Sequence, residues 1–516
     1  MNRGYCNSCQ KLVPAEPKER ENKIFLAKTC PECGVTETLI SSDATRYWQK
    51  RALDTGFDYR GCGLSCLECK HAKQPNIIFL DITNRCNLNC PICINNTPSM
   101  GFLFEPPFEY FEKIFDNLAE MDPKPSVQLF GGEPTVRKDL IEIIQAARKR
   151  GLATRVVTNG INLADQEYCR KLVENRATIL IAFDGQKREV YKILRGSDKM
   201  LDKKVQALDN LSAMGKGKVT LMSLVARGFN DDEVSSLLQF AHDRRNVVRA
   251  IYFMPLAQTW DTDEFDLTAE STTSEDIEQI VDEAFPDDHI AFLPAGLLGQ
   301  LESLMYCLKT KTVPFMGAHP NCESMYLMLS DGTKYIPISR FLKHGIMDAA
   351  QALIDLDKRL YKHVEKRAGH SSLQRRMLGI RAMLGVAKII RKNVRLGSVL
   401  KGRGIGKAYH ALAMLLGFIV GRKSRYILPR HLTAHQVLQI ITLPFEDKTN
   451  IETDRLERCP AAFAYYDPQE DQVRHVPVCA WGLHKNKAMK MIADYYGKHE
   501  KQTTEPAAPT GADVSA

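Results

Sequence analysis

Long hydrophobic runs are missing from this sequence of 516 residues. The longest run, around 408–421, is too short for a transmembrane helix, which needs ~20 apolar residues. The start of the chain, Met1-Asn-Arg-Gly-Tyr5, leads into polar sequence without the apolar core of a signal peptide. We therefore expect a cytoplasmic protein.

Large-scale disorder is also excluded, because 44% hydrophobic and 26% charged residues are ordinary values for a globular protein. The chain is too long for one ordinary domain, and its length predicts roughly two to four. Only residues 501–516, rich in Thr, Pro, Ala and Gly, have too little to bury and are predicted to be disordered.

Acidic residues are absent from 371–430, which contains 14 Lys and Arg residues. The rest of the chain holds 56 basic and 62 acidic residues, so this segment carries all the excess positive charge. It predicts either a helical hairpin with a solvated basic face or an amphipathic helix pair that binds an anionic membrane. The lack of acid favours the membrane. Nucleic acid is disfavoured, because the basic residues alternate with aliphatic residues more than with aromatic ones. The predicted apolar stripe consists of Leu373, Met377, Ile380, Leu384, Ala387 and Val394.

Short apolar runs alternate with amphipathic stretches between residues 76 and 255, which predicts parallel βα units. Either an open barrel or a doubly wound sheet fits, and both place their chemistry at the carboxyl ends of the strands. The predicted strands are 77–82, 126–130, 153–158, 178–183, 218–225 and 248–254. The predicted helices are 108–121, 138–150, 166–175, 202–215 and 232–242. The acidic stretch 260–290 predicts a surface helix.

Cysteine is abundant, with 15 residues, and in a reducing compartment this count indicates metal sites. Cys86, Cys90 and Cys93 directly follow the first predicted strand. Three thiolates on one loop can hold three irons of a cubane cluster and leave the fourth iron open to a ligand. The alternative is a zinc knuckle with a distant fourth ligand.

A second group near the N-terminus has the pattern of a four-thiolate site. Two Cys-x2-Cys pairs are separated by 20 residues. This pattern fits a zinc ribbon and a rubredoxin-like iron site equally well, since both metals accept four thiolates in a tetrahedron. The four residues are Cys6, Cys9, Cys30 and Cys33.

The Cys86–Cys93 pattern after a strand resembles the signature of the radical S-adenosylmethionine (SAM) superfamily. Further matches follow successive predicted strands. Gly131-Gly132-Glu133-Pro134 resembles the motif that contacts the SAM amino group, and the other matches contain Asn159, Asp184 and Asn230. The resemblance implies a partial (β/α)6 barrel whose [4Fe-4S] cluster binds SAM through the open iron. Reduction would then yield a 5′-deoxyadenosyl radical, which takes hydrogen from unactivated carbon.

The remaining cysteines are interpreted in the light of that resemblance. Cys62, Cys66 and Cys69 repeat the spacing, but no strand precedes them, so we interpret them as three ligands of an auxiliary cluster. A distant residue would supply the fourth ligand, and the candidates would also supply most of a second auxiliary cluster. Some of these candidates are alternatively buried, inert thiols, as we expect for Cys169. The candidates are Cys307, Cys322, Cys459 and Cys479.

The order of these elements is similar to that of the tetraether and membrane-spanning lipid synthases. His319-Pro-Asn-Cys322 and the late pair Cys459 and Cys479 carry this narrower resemblance. It implies radical carbon–carbon coupling between the methyl ends of two lipid chains, with an auxiliary cluster holding the first carbon-centred intermediate. The implied partners are a membrane lipid substrate, the anionic inner face of the membrane and a low-potential electron donor, without nucleic acid. The alternatives are a radical SAM maturase that modifies a peptide and an iron–sulfur scaffold that only carries electrons.

These elements predict seven consecutive segments. In order they are a four-Cys ribbon, a Cys-rich bridge, the barrel, an auxiliary-cluster segment, the basic helices, a C-terminal auxiliary-cluster segment and the disordered tail. Their predicted boundaries are 1–45, 46–75, 76–290, 291–345, 346–440, 441–500 and 501–516.

Overall fold

The N-terminal cysteines lie on a small antiparallel sheet in the computed structural model of this chain. The strands pair in chain order, and their bounds are β1 Arg3–Tyr5, β2 Leu12–Arg20, β3 Lys23–Cys30 and β4 Gly34–Ser41, followed by helix α1 Ala44–Arg51. The structure describes residues 2–69, 71, 73–95, 97, 100–256, 271–309, 315–365, 371–419, 424–433 and 436–504.

A series of βα units follows the small sheet. All six predicted strands are present, each within one residue of its predicted ends. They are β5 Ile77–Thr83, β6 Ser126–Gly131, β7 Ala153–Thr158, β8 Thr178–Ala182, β9 Lys218–Val225 and β10 Val248–Pro255. The helices between and after them are α2 Phe108–Glu120, α3 Leu140–Lys149, α4 Gln166–Glu174, α5 Arg188–Arg195, α6 Met200–Met214 and α7 Glu233–Asp243. Helix α5 was not predicted.

The order of these strands decides between the two predicted architectures. Strands β5 to β10 are parallel and lie side by side in chain order. A doubly wound sheet would reverse its strand order at a switch point. The sheet therefore has the arrangement of a partial barrel, with the ends of all six strands at one edge.

Strands from the C-terminal half extend this sheet at both edges, which the sequence did not predict. Strand β14 pairs parallel to β10, and β15 pairs parallel to β5. Strand β14 begins at Val437, so the sheet resumes inside the segment predicted to be basic helices. The added strands are β11 Leu293–Pro294, β12 Ser324–Ser330, β13 Tyr335–Pro337, β14 Val437–Thr442, β15 Ala461–Asp467 and β16 Gln472–Pro477.

The prediction that the helix within 260–290 lies on the surface is wrong. Helix α8 spans Ser274–Glu283, and its first turns are buried. Burial of its acids is possible because the ammonium of Lys50 lies 2.8 Å from a Glu275 oxygen and 2.5 Å from a Glu278 oxygen. The buried cation offsets one negative charge, and burial raises the pKa of Glu278, which favours its neutral form. Residues 257–270 lie outside the described residues.

The remaining helices include the basic segment. Within the described residues, no helix is long and apolar enough to cross a membrane. The predicted disordered tail overlaps the last turn of the final helix, and 505–516 lie outside the described residues. The helices are α9 Leu297–Gln300, α10 Glu302–Leu308, α11 Ile346–Val364, α12 Ser372–Asn393, α13 Leu396–Val399, α14 Ile405–Ile419, α15 Ser424–His431, α16 Thr453–Glu457 and α17 Val478–Thr504.

Candidate active site

A cavity of about 240 Å³ lies at the carboxyl ends of the parallel strands. Cys86, Cys90 and Cys93 all line it. Burial raises the pKa of the Cys86 thiol to about 11 and also raises that of Cys90. The thiols of Cys86 and Cys90 are therefore protonated at neutral pH until a metal ion displaces the protons.

The loop that carries Cys86 is held by the turn after β6. The N–H of Gly132 donates to Thr83 O at 2.7 Å, and the N–H of Glu133 donates to Arg85 O at 2.8 Å. A Cβ atom on Gly132 would lie closer than 3.0 Å to Arg85 O, and Gly131 has a φ of +127° that favours glycine. The two glycines thus allow direct backbone contact between the turn and the cysteine loop.

Glu133 is buried and joins the ends of β6 and β7. One carboxylate oxygen accepts from the Thr135 N–H at 3.0 Å, the Thr135 hydroxyl at 2.5 Å and the Thr158 hydroxyl at 2.7 Å. The other accepts from the N–H of Asn159 at 2.7 Å. Burial nevertheless raises the pKa of Glu133, against these hydrogen bonds. Glu133 also lines the cavity, so contact with SAM remains open to it as a prediction.

Two other predicted SAM contacts lie behind the cavity wall. Asp184 is buried and accepts two hydrogen bonds of 2.8 Å from Arg195, which does line the cavity. Asn230 closes the loop after β9 by accepting from Ala226 N–H at 2.9 Å and donating to Leu224 O at 2.8 Å. Among the described residues that line the cavity, neither Asp184 nor Asn230 is present. Asp184 therefore positions Arg195, and a direct contact of either with SAM stays a prediction.

A second set of thiols reaches the same cavity. Cys322, Cys459 and Cys479 lie near one another, and Cys479 is part of the cavity wall. Burial raises the pKa of the Cys459 thiol to about 12, and the pKa values of the other two are also raised. Burial outweighs the nearby Arg455 guanidinium, which acts in the opposite direction on Cys322 and Cys479, so these thiols stay protonated unless a metal ion displaces the protons.

A third set of thiols lies on the loop that follows α1. Cys62, Cys66 and Cys69 lie near one another on a loop held by Glu457, whose carboxylate accepts from the N–H groups of Gly61 at 3.1 Å and Cys62 at 3.0 Å. Three of the four distant cysteines proposed as ligands, Cys322, Cys459 and Cys479, lie near one another in the second set. Within the described part of the chain, the fourth ligand of this set is not identified.

Two cysteines are packed thiols. Cys307 lies in an apolar cluster between α10, α11 and α12. Cys169 is buried in the main core, as expected. The buried-thiol alternative thus describes the position of Cys307.

The N-terminal four-thiolate site is assembled as the spacing predicts. Among the described residues, it is the one group of three or more metal-binding side chains whose ligand atoms all lie within 4.8 Å of one another. Hydrogen bonds from the N–H groups of Cys9 and Ser8 lower the pKa of Cys6 to about 6, which favours a thiolate. The four residues are Cys6, Cys9, Cys30 and Cys33.

Sequence reasoning missed the C-terminal wall of the cavity. The indole N–H of Trp481 donates to Asp81 at 2.7 Å, and the amide of Asn95 donates to the same carboxylate at 3.2 Å. Trp481 and Asn95 line the cavity, together with Lys485. Trp481 lies two residues after Cys479, and this proximity is the one sequence signal that could have found it.

Comparisons with known proteins agree with this geometry. A model of the radical SAM superfamily matches residues 80–241, and a model of the HMPTM N-terminal zinc ribbon domain matches residues 3–42. The 7,8-dihydro-6-hydroxymethylpterin dimethyltransferase of Methanocaldococcus jannaschii is 30% identical over 499 residues, 93% of each chain. The chain belongs to the radical SAM superfamily. It is therefore an enzyme of that superfamily with an N-terminal zinc ribbon domain.

Other relatives of this radical SAM enzyme match a part of it. The GTP 3',8-cyclase of Nautilia profundicola is 32% identical over 192 residues, 36% of this chain and 58% of that protein. The structure of Streptococcus suis SuiB bound to precursor peptide SuiA has a TM-score of 0.36 and 13% identity, and covers 56% of this chain and 75% of that one. Neither likeness assigns a function here, and the narrower assignment to the tetraether lipid synthases stays a prediction.

The family implies a [4Fe-4S] cluster and SAM, and the residues present fit both. Three thiols line one cavity, which suits a cluster with an open iron. The close turn at Gly131 and Gly132 leaves backbone, with no side chain, beside these thiols. The second and third thiol sets make auxiliary clusters a proposal that the donor chemistry supports.

Proposed function

We propose that this enzyme joins the hydrocarbon tails of membrane lipids by forming a carbon–carbon bond between chain ends. One observation carries the proposal: thiols of two separate sets, Cys86, Cys90 and Cys93 on one side and Cys479 on the other, line a single cavity whose wall is mostly apolar. A hydrocarbon end needs such a wall, because it offers no group for a polar site to bind.

The apolar wall comes from both halves of the chain. It includes strand residues of the barrel and residues of the C-terminal segments that close the sheet at both edges. Such a wall removes a hydrocarbon chain from water, and each buried CH₂ group contributes about 0.8 kcal/mol to the free energy of binding. The apolar lining residues are Phe79, Leu88, Ile92, Ile94, Phe130, Val157, Leu180, Ala182, Met222, Leu224, Met254, Leu256, Leu443, Phe445, Phe463, Val478 and Trp481.

The polar residues of the cavity have different roles. A bound [4Fe-4S] cluster and SAM supply the 5′-deoxyadenosyl radical that abstracts hydrogen from carbon. Arg195, fixed by Asp184, places a positive charge beside the Cys90 thiol. Glu133 and the two glycines hold the cysteine loop, and the apolar wall excludes water from the reactive carbon.

The stoichiometry follows from the bonds that change. Each chain end loses one hydrogen atom to a 5′-deoxyadenosyl radical, which becomes 5′-deoxyadenosine, and one carbon–carbon bond forms between the two ends. Two molecules of SAM and two electrons from a low-potential donor are consumed, and two molecules each of methionine and 5′-deoxyadenosine are released. The product has the mass of two chains less two hydrogen atoms.

Lipid mass spectrometry on anaerobic cells that express the protein tests this proposal. We expect new lipids with two joined tails in cells with the wild-type chain and with Cys169→Ala, a matched control because that thiol is packed in the core. Cys86→Ala is expected to abolish them. An unchanged lipid profile, in cells where the protein carries its iron and cleaves SAM, would contradict the proposal.

Methylation of a reduced pterin is the second candidate. The relative that matches 93% of this chain is named a 7,8-dihydro-6-hydroxymethylpterin dimethyltransferase, and this observation favours it. Purified enzyme incubated with SAM and either the dihydropterin or lipid distinguishes the two candidates. A pterin that gains methyl groups supports the second, whereas joined lipid tails support the first. Modification of a peptide, with neither of these products, would support the maturase alternative.

A further inference from the structure

Helix α12 is apolar on two opposite faces. Leu378, Ala382 and Gly385 face α11, and a Cβ atom on Gly385 would lie 2.6 Å from a Leu356 methyl group, so the two helices are in close contact there. Residues of an α-helix advance by about 100° each, so the stripe that begins at Leu373 lies on the other side. Packing in the core therefore explains one apolar face and leaves the other unexplained.

The other face of α12 is exposed. Leu373 is 67% exposed and Met377 is 61% exposed. Leu384, about two turns after Met377 on the same stripe, is exposed as well. Three residues of the stripe predicted from the sequence are therefore exposed, whereas Ile380, Ala387 and Val394 are half-buried. Contiguous apolar patches on a protein surface often mark binding sites, whereas single exposed apolar residues are common and need no explanation.

Helix α14 repeats the pattern. Its exposed residues Ile405, Tyr409, Leu412 and Leu416 are separated by four, three and four residues. Leu373, Met377, Ile380 and Leu384 of α12 have the same spacing. Two neighbouring helices thus each present one apolar stripe, and the two stripes together are called the docking surface below.

The charge around the docking surface has one sign. The exposed basic residues of α12 include Arg381 and Lys388, which flank the stripe at about 60–80° from Leu373 on the helix. Neither α12 nor α14 contains an acidic residue that could pair with them. A solvated face of an ordinary helix usually mixes both signs, whereas apolar residues bordered by basic ones alone complement an anionic lipid surface.

We propose that α12 and α14 bind the protein to the surface of an anionic lipid bilayer. The apolar stripes enter the boundary between headgroups and acyl chains, and the flanking Arg and Lys residues contact the lipid phosphates. The proposal stands on exposure and charge, and it does not depend on the reaction in the cavity. Arg422 and Lys423, which extend the basic sequence, lie outside the described residues.

Flotation with lipid vesicles tests the proposal on the full-length, iron-loaded protein. We expect it to float with vesicles of phosphatidylglycerol and phosphatidylcholine in equal parts and to stay behind with phosphatidylcholine alone. The triple variant Leu373→Ser, Met377→Ser and Leu384→Ser is expected to weaken binding by at least about tenfold. High salt should weaken it as well, because salt screens the charges.

Charge variants provide the matched comparison. Arg381→Glu with Lys388→Glu is expected to weaken vesicle binding by at least about tenfold, since each basic residue strengthens binding about fivefold. Lys203→Glu with Lys216→Glu, two exposed lysines outside the two helices, removes the same charge and should change binding much less. All variants should retain SAM cleavage, which shows that they are folded.

Three results would overturn the proposal. One is failure of the wild-type protein to bind the anionic vesicles. Another is vesicle binding that the α12 variants leave unchanged. The third is a dimer in solution that the triple serine variant separates, because the docking surface would then be an interface between two copies of this chain. A wild-type protein that does not bind anionic vesicles but still forms joined lipid tails would overturn the docking surface alone, so the two proposals fail separately.

Discussion

At the scale of single residues, the buried pair Asp184 and Arg195 offers a test of positioning. Asp184→Asn leaves the Arg195 guanidinium without its carboxylate, and breaking a buried pair costs about 3–5 kcal/mol. We expect a lower urea midpoint of unfolding and slower SAM cleavage. Asp202→Asn is the control, because Asp202 and Arg188 form an exposed pair worth less than about 1 kcal/mol. Equal effects of the two substitutions would contradict this role.

Asp81 predicts a dependence of stability on pH. Burial raises its pKa to about 6, against the hydrogen bonds from Trp481 and Asn95, whereas the unfolded chain titrates near 4. The folded protein therefore keeps a proton that the unfolded chain has lost between about pH 4 and 6. The free energy of unfolding consequently falls by up to about 3 kcal/mol as the pH rises through this window, and the loss is complete above pH 6.

The Asp81→Asn variant isolates this contribution. We expect the wild-type protein to gain stability relative to the variant when the pH is lowered from about 7 to about 5. Urea midpoints of both proteins, measured at the two pH values, give the difference. The same pH dependence in both proteins would mean that Asp81 is charged throughout this range.

At the scale of elements, the turn after β6 is expected to tolerate no side chain at Gly132. Gly132→Ala brings a Cβ atom against Arg85 O, so the turn must move away from the cysteine loop. We expect at least about a tenfold loss of SAM cleavage together with lower iron content. Gly497→Ala on α17 meets open space and should change neither quantity. Iron analysis and 5′-deoxyadenosine formation measure both variants.

We expect the four-Cys site of the small N-terminal sheet to bind its metal ion independently of the barrel. Cys6→Ser removes a ligand from a site that holds strands β1 to β4 together, so we expect the loss of about one tetrahedral metal ion per chain. Metal analysis also identifies the ion as zinc or iron. Iron bound at Cys86, Cys90 and Cys93, and therefore SAM cleavage by the folded barrel, should survive. Unchanged metal content would contradict the assignment.

The elements differ in how well the sequence predicts them. Strands β5 to β10 are short, mostly apolar segments separated by amphipathic helices, so local periodicity finds them almost to the residue. Helix α5 was missed because it is short and directly follows the motif that contains Asp184. The added strands at both edges pair with residues far away along the chain, for example β15 with β5, and local patterns do not encode such pairing.

The same distinction applies to the site. Cys86, Cys90 and Cys93 share one loop, and their spacing alone places them together. The grouping of Cys322, Cys459 and Cys479 depends instead on how the C-terminal segments return to the sheet. Trp481 and its bond to Asp81 depend on the same return, so the sequence could not show that this residue closes the cavity.

At the scale of the whole molecule, two separate features favour a lipid. The cavity wall is mostly apolar, and the docking surface on α12 and α14 is apolar with a basic border. An enzyme that takes a lipid chain end from a bilayer needs both features. We therefore propose that this enzyme abstracts hydrogen from the end of such a chain.

Isotope transfer from the lipid to 5′-deoxyadenosine tests this hydrogen abstraction. The purified, iron-loaded enzyme is incubated with SAM, a reductant and a lipid whose terminal methyl groups carry deuterium. We expect deuterium in the released 5′-deoxyadenosine and joined tails that have lost one deuterium each. Release of unlabelled 5′-deoxyadenosine with the lipid unchanged would contradict it.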